Sequence, residues 1–375
     1  MSRIVVLGGG YAGLACLIEL AKKAPQFELY LVDGNAEHCK ITNLHKTFAN
    51  PIEEFRVPYA QLAERFNFSF HQQQITFTEA DLQSWQQKKA LPLGNIELHF
   101  DCLVIATGAT PALQRENERV FGLQTLADGR GPALFEEWSK TSQERQLNIS
   151  LIGAGATRLQ VLFELQEQLH KNRLDYRLNL IDRGSRTASQ LPEAAHRYIV
   201  RKMRREGINY LAETEFCAQT KNSINLRERK SNKKFSLPCD ATLFFPGVKR
   251  SPFAIQTNSY GQVESNGHLL PEIFSAGDSA NYAGSGFNQL TAQAALRKGK
   301  LVAGNIRNLH ASRGLRRYRY QEKGYFLSLG PFDAVGWIGL RCNLIKGFPA
   351  IALKEAMESQ YNLYLGGFDT YLGSP

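Results

Sequence analysis

The segment Ile4-Val-Val-Leu-Gly8-Gly-Gly10-Tyr-Ala-Gly13 constrains this chain more than any other. Four apolar, mostly β-branched residues read as a short buried strand, and residues 11–23 then bring apolar and small side chains at helical spacing. The glycines fall at the junction. There Gly8 permits a tight turn, Gly10 lets the backbone approach a diphosphate, and Gly13 lets the helix close on the strand. The first turn of such a helix offers free N–H groups and a positive partial charge to an anion. A second strand over residues 28–32 leads to Asp33, 20 residues beyond Gly13, where a carboxylate can accept ribose hydroxyls. Strand, helix and acid in register predict a dinucleotide-binding β-α-β unit.

About 145 residues later the pattern returns in altered form. A strand over 149–152 runs into Gly153-Ala-Gly155-Ala-Thr-Arg158, a helix follows over about 157–172, and a strand over 177–181 ends at Asp182. Gly153, Gly155 and Asp182 repeat Gly8, Gly10 and Asp33, but Arg158 stands where the third glycine belongs. A long side chain there either pushes the helix off the strand or turns outward toward a ligand phosphate. Arg183 and Arg186 beside Asp182 would suit a 2′-phosphate. Between the two units, strands over 96–100 and 102–106 end in Thr107-Gly108, and residues 122–132 read as a Gly- and Pro-rich loop. Further on come a short strand over 209–211, a hairpin around 224–237, and strands over 242–245 and 272–276. The last of these precedes Gly277-Asp278. A helix over about 289–309 and another near 349–361 complete the reading.

Composition narrows the class. With 375 residues and 43% hydrophobic content the chain is long enough for two or three domains, each with a core. No uncharged apolar run reaches about 18 residues, so no membrane-crossing helix is expected. The opening lacks the apolar stretch and cleavage site of a secretory signal. Six scattered cysteines form no C-x-x-C or C-x4-C, and eight histidines form no H-x3-H. A metal site, a redox disulfide and a disulfide framework are therefore not expected, and the thiols read as those of a cytoplasmic protein. The net charge of +10 is uneven, with eight Lys/Arg and no acid from Arg297 to Arg319. Such patches suit phosphates, anionic lipid or a solvated helix face; no nucleic-acid role is expected.

Two Rossmann-like units, Ala106-Thr-Gly108 and Phe274-Ser-Ala-Gly277-Asp278, in this order, resemble the two-dinucleotide-binding-domain flavoproteins. Within that superfamily the chain looks most like the type II NADH:quinone oxidoreductases. The carrying segments are Leu7 to Gly13, Thr42-Asn-Leu-His45, Leu290-Thr-Ala-Gln293-Ala-Ala-Leu-Arg297-Lys298-Gly299, and the tail from Tyr318 to Gly324. The resemblance implies an α/β fold in which a second dinucleotide-binding domain is inserted in the first. The FAD domain would span 1–115 and 242–315, the NAD(P)-binding-like domain 116–241, and a C-terminal lobe 316–375.

It also implies that FAD is held at Gly8, Gly10, Gly13, Asp33, Thr107, Gly108, Gly277 and Asp278. Thr42, His45 and Gln293 would lie near the flavin ring, and NADH or NADPH would use Gly153, Gly155 and Asp182. Hydride would pass from that co-substrate to the flavin, and electrons on to a quinone-like acceptor. Four positions, in three places, depart from the family. Arg297 and Lys298 replace two glutamines, Gln160 replaces a glutamate, and Arg158 replaces a glycine. A cation near the flavin's N1–C2 edge stabilises its reduced anion, the role Arg297 and Lys298 would have as catalytic groups.

In the resembling family a C-terminal amphipathic segment lies on the membrane. Phe326, Leu327, Leu329, Phe332, Val335, Trp337, Ile338 and Leu340 supply apolar bulk for such contact at the inner face of the plasma membrane, or for a homodimer interface. Alternative readings are a soluble flavin reductase or single-cysteine oxidoreductase using Cys39, a sulfide:quinone oxidoreductase-like enzyme, and a flavin-binding protein whose NADH site is lost.

Overall fold

The computed structural model of the chain describes residues 1–111, 119–245, 248–249, 254–284 and 288–371. The expected domain boundary at 115/116 lies outside them. The elements that build the sites are β1 (Arg3–Leu7), α1 (Tyr11–Lys23), β2 (Glu28–Asp33), β3 (Ser69–Gln72), β4 (Cys102–Ile105), β5 (Leu147–Ile152), α2 (Ala156–Lys171), β6 (Tyr176–Ile181), β7 (Asn209–Leu211), β8 (Ala241–Phe244), β9 (His268–Ser275), α3 (Ala292–His310), β10 (Gly324–Ser328), β11 (Ala334–Ile338), β12 (Leu344–Lys346) and α4 (Phe348–Leu365).

One sheet draws strands from two separate stretches of the chain, 3–105 and 255–282. Beside the strands Ala280–Tyr282, Ile255–Thr257 and Gln262–Ser265 it runs β9-β4-β1-β2-β3, with β9 to β3 parallel. Ile4 to Leu7 are buried on both faces, as strands covered by helices on each side require. The parallel register brings the ends of β1, β2, β4 and β9 to one edge, so Gly8, Asp33, Thr107 and Gly277 all leave the sheet together. On one face α1 crosses α3 closely, because Gly299 has no side chain: a Cβ there would land on the Ala12 carbonyl.

A second sheet, all parallel, runs Val120–Phe121, β8, β5, β6, β7. All its strands come from residues 120–244, between β4 and β9 of the first. A three-stranded antiparallel sheet, Thr214–Gln219, Ser223–Glu228 and Lys234–Pro238, extends the expected hairpin by one strand.

Two expectations need correction. Residues 122–132 are not a loop: a short helix Leu123–Ala127 is followed by the helix Gly131–Glu144, which Pro132 opens. Proline suits that position because the first helical turn has no acceptor for its N–H. The tail is not one apolar face either. β10, β11 and β12 form an antiparallel sheet with α4 packed on it. Leu327, Leu329, Val335 and Trp337 join the core that holds Leu162 and Phe163 of α2. Phe332, Ile338, Leu340 and Phe348 stay exposed. Among the described residues no helix is long and apolar enough to cross a membrane.

Candidate functional site

The first glycine turn is held in place by groups far apart in sequence. Gly8 has φ +104°, a conformation that favours glycine, and its N–H donates to Val32 O at 2.8 Å. A Cβ on Gly13 would land on the Gly8 carbonyl, so the start of α1 and the turn touch. No side chain caps α1, and a Cβ on Gly10 would meet nothing within 4 Å. The helix N-terminus is thus open to a ligand. Asp33 Oδ2 accepts from Gly9 N at 2.7 Å, and Oδ1 accepts from Asn35 N at 2.8 Å. The Asn35 side-chain amide also donates to Oδ1, at 3.1 Å, so the carboxylate is fixed at the turn and lines the cleft.

Two residues that carried no sequence signal complete this turn. The Tyr59 ring lies against Gly9, and its hydroxyl reaches Asp33 Oδ2 at 3.5 Å. His38 is buried between Gly9 O, 3.1 Å from Nδ1, and the Tyr361 hydroxyl, 2.9 Å from Nε2. Burial lowers its pKa to about 4, so the neutral ring donates through Nδ1 and accepts at Nε2.

Around the turn lies a cleft of about 660 Å³, lined by Gly8, Gly10, Asp33, Cys39, Thr107 and Gly108 among others. Gly108, at φ +76°, leaves its outer side open. Gly277 and half-buried Asp278 follow β9, and Ala276 N donates to Ile105 O at 3.0 Å, beside Thr107. An open glycine turn, an acid at the end of β2 and a second acid beyond β9 lie along one edge of the sheet, an arrangement that fits FAD stretched along it.

The residues expected near the flavin ring divide. Exposed Thr42 shares a 2.9 Å hydrogen bond with Tyr11, and Gln293 sits half-buried in the first turn of α3, which Thr291 caps. His45 is buried in a seam with Gln160 and Ser328: the Gln160 amide lies 3.3 Å from His45 Nε2 and donates to Ser328 Oγ at 3.0 Å. Burial depresses His45 to about 3. Gln160, a departure from the resembling family, therefore ties α2 to the 41–48 segment and the tail.

Arg297 and Lys298 have other partners. Arg297 donates to Gln321 O at 2.7 Å and covers the Tyr320 ring. Lys298 is 1% exposed and donates to Gly277 O at 3.1 Å and Ala280 O at 3.2 Å, with the Tyr282 ring 4.8 Å away. It braces the turn that carries Asp278. Cys39 lines the cleft, and burial raises its thiol pKa, which keeps it protonated at neutral pH. Among the described residues no three His, Cys, Asp or Glu are grouped to hold a metal.

The second turn repeats the first. Gly153, φ +96°, donates to Ile181 O at 2.6 Å; Asp182 accepts from Ala154 N and, at 2.5 Å, from Gly184 N. Across residues 2–299 the chain matches the profile of the pyridine nucleotide-disulphide oxidoreductases. The chain belongs to that family. This oxidoreductase is 26% identical to the demethylphylloquinone reductase NdbB of Synechocystis sp., over 89% of the chain and 86% of that protein. It is 24% identical to the type II NADH:quinone oxidoreductase of Staphylococcus epidermidis, over 97% and 96%. Its fold matches NDH2 from Plasmodium falciparum, solved with NADH, at TM-score 0.79 and 13% identity, covering 100% of this chain and 99% of that one. The sulfide:quinone oxidoreductase of Aquifex aeolicus matches at TM-score 0.78 and 16% identity, covering 99% and 93%.

Proposed function

We propose that this oxidoreductase takes hydride from NADH or NADPH and delivers electrons to a quinone, with FAD bound along the first sheet. The observation that carries the reading is the open glycine turn facing Asp33, joined at one sheet edge by Gly277-Asp278. Likeness to quinone reductases over nearly the whole chain supports the acceptor. FAD, when bound, supplies the two-electron carrier. Gly10 and the α1 N-terminus take its diphosphate, Asp33 its adenosine ribose, and Asp278 its ribityl portion; Thr42 and Gln293 border the ring. Gly153, Gly155 and Asp182 present the donor. Positioning, rather than an acid–base pair, does the work.

Purified protein should be yellow, bleach anaerobically with NADH or NADPH, and recover colour on adding a short-chain quinone. Colourless protein that takes up no FAD on reconstitution would end the reading. Exposed Phe332, Leu340 and Phe348 beside Arg341 and Lys346 favour the surface of an anionic bilayer as the place of quinone entry. Co-sedimentation with anionic vesicles, lost on changing these three residues to serine, tests that. A doubled mass in solution with no vesicle binding would instead assign the face to a homodimer.

A further inference from the structure

The second glycine turn is covered by its own arginine. In the first unit, Gly13 lets the helix rest on the turn. Its counterpart Arg158 folds its side chain back across the turn. Nε and Cζ lie 2.7 and 3.0 Å from where a Cβ of Gly153 would be, and Nη1 lies 2.8 Å from the same point on Gly155. The guanidinium therefore spans the two glycines, over the backbone that a nucleotide diphosphate approaches in such units.

This cation is half-buried and only partly satisfied. Nε is shielded from solvent and finds no hydrogen-bond acceptor. Asp182 is the charge that offsets its burial, but its carboxylate already accepts from Ala154 N and Gly184 N. Of the neighbouring arginines, Arg186 donates to Leu191 O and pairs with Glu193 at 3.2 Å, while Arg183 is exposed, 3.6 Å from a Glu215 carboxylate that Arg227 and Arg229 share. An N–H left unpaired in a desolvated pocket is unfavourable, and a phosphate oxygen is the acceptor that a planar guanidinium fits best.

We propose that Arg158 is the diphosphate contact of the second nucleotide site, so that its guanidinium, rather than the bare N–H groups of the turn, holds the pyridine nucleotide. The proposal rests on the donor reading given above. The ligand class is then set by the ADP-ribose half shared by NADH and NADPH, and the missing third glycine is an exchange of one anion contact for another.

The test is calorimetric titration of the FAD-loaded protein with ADP-ribose and with NAD⁺, alongside anaerobic reduction by NADH. Arg158→Met and Arg158→Gly should weaken ADP-ribose binding about tenfold or more, the loss expected for one charge-assisted contact. Arg158→Lys should keep part of it, and flavin content and melting temperature should stay as in the parent. Adenosine, which has no phosphate, should bind parent and variants alike. Unchanged or tighter ADP-ribose binding in Arg158→Gly overturns the proposal, because the arginine would then be an obstruction. If that happens while NADH still bleaches the parent, only the role of Arg158 falls. If neither NADH nor NADPH reduces the parent and ADP-ribose does not bind, the donor reading falls with it.

Discussion

Gly13 and Arg158 hold the same place in two copies of one turn, yet they do opposite things with the space above it. At Gly13 the absence of a side chain is structural, since a Cβ would collide with Gly8 O. Gly13→Ala should therefore cost about 1–3 kcal/mol from overpacking and leave protein that loses FAD on gel filtration. Lys298 makes a prediction of a different kind. Its two bonds to Gly277 O and Ala280 O brace the loop of Asp278. Lys298→Met should weaken FAD retention, read as flavin fluorescence released on dilution, and Lys298→Gln should recover part of it because an amide can still donate. Cys39→Ser should leave quinone reduction close to the parent rate, since the thiol is protonated where a nucleophile must be ionised. Loss of activity in that variant would favour a single-cysteine mechanism. The glycines and acids of both turns were legible in the sequence because local backbone geometry dictates them. The directions of Arg297 and Lys298 were not, because a long cation on a helix has several faces within reach and only the packed neighbours select one.

At the scale of elements, the tail shows how composition misleads when periodicity is weak. Phe326 to Leu340 holds enough apolar bulk for a surface anchor, and some of it is exposed. Most of it, however, is used inside the protein: α4 packs on these strands, and Leu327, Leu329, Val335 and Trp337 join the core that holds α2. Trp337 is buried in the core shared with the second sheet, so Trp337→Ala should destabilise the protein by about 3–5 kcal/mol, read from chemical denaturation. A simple membrane anchor would leave stability unaltered. The helices Tyr59–Phe66, Glu79–Lys88 and Glu193–Arg205 went unread as helices for a related reason. They are short or largely polar and bury only three or fewer residues each, so the apolar stripe is too thin to register. The β-α-β units, by contrast, announced themselves through fully buried strands followed by Gly-rich turns.

At the scale of the whole molecule, ionisable groups buried between the two sheets and the tail couple the fold to pH. His38 and His45, depressed to about 4 and about 3, stay neutral when folded, while an unfolded chain would protonate them near 6.5. Below that pH the unfolded state binds more protons, so stability falls as acid is added. Glu164, on α2, is raised to about 7 by burial, and its contribution runs the other way, fading as pH rises from about 4.5 to 7. Two histidines outweigh one glutamate, so the melting temperature should drop between pH 6.5 and 4. His45→Gln should flatten that drop, and Glu164→Gln should raise the melting temperature near pH 8. The same seam joins the ends of the chain. Tyr364 of α4 donates to Ala15 O at 3.1 Å, Tyr361 meets His38 behind Gly9, and β9 supplies the acid on the far side of the turn. The opening residues therefore form a finished cofactor seat only once α4 has folded back behind them. Flavin retention then depends on α4 closing behind Gly9, and a copy cut just before Phe348 should lose its pigment.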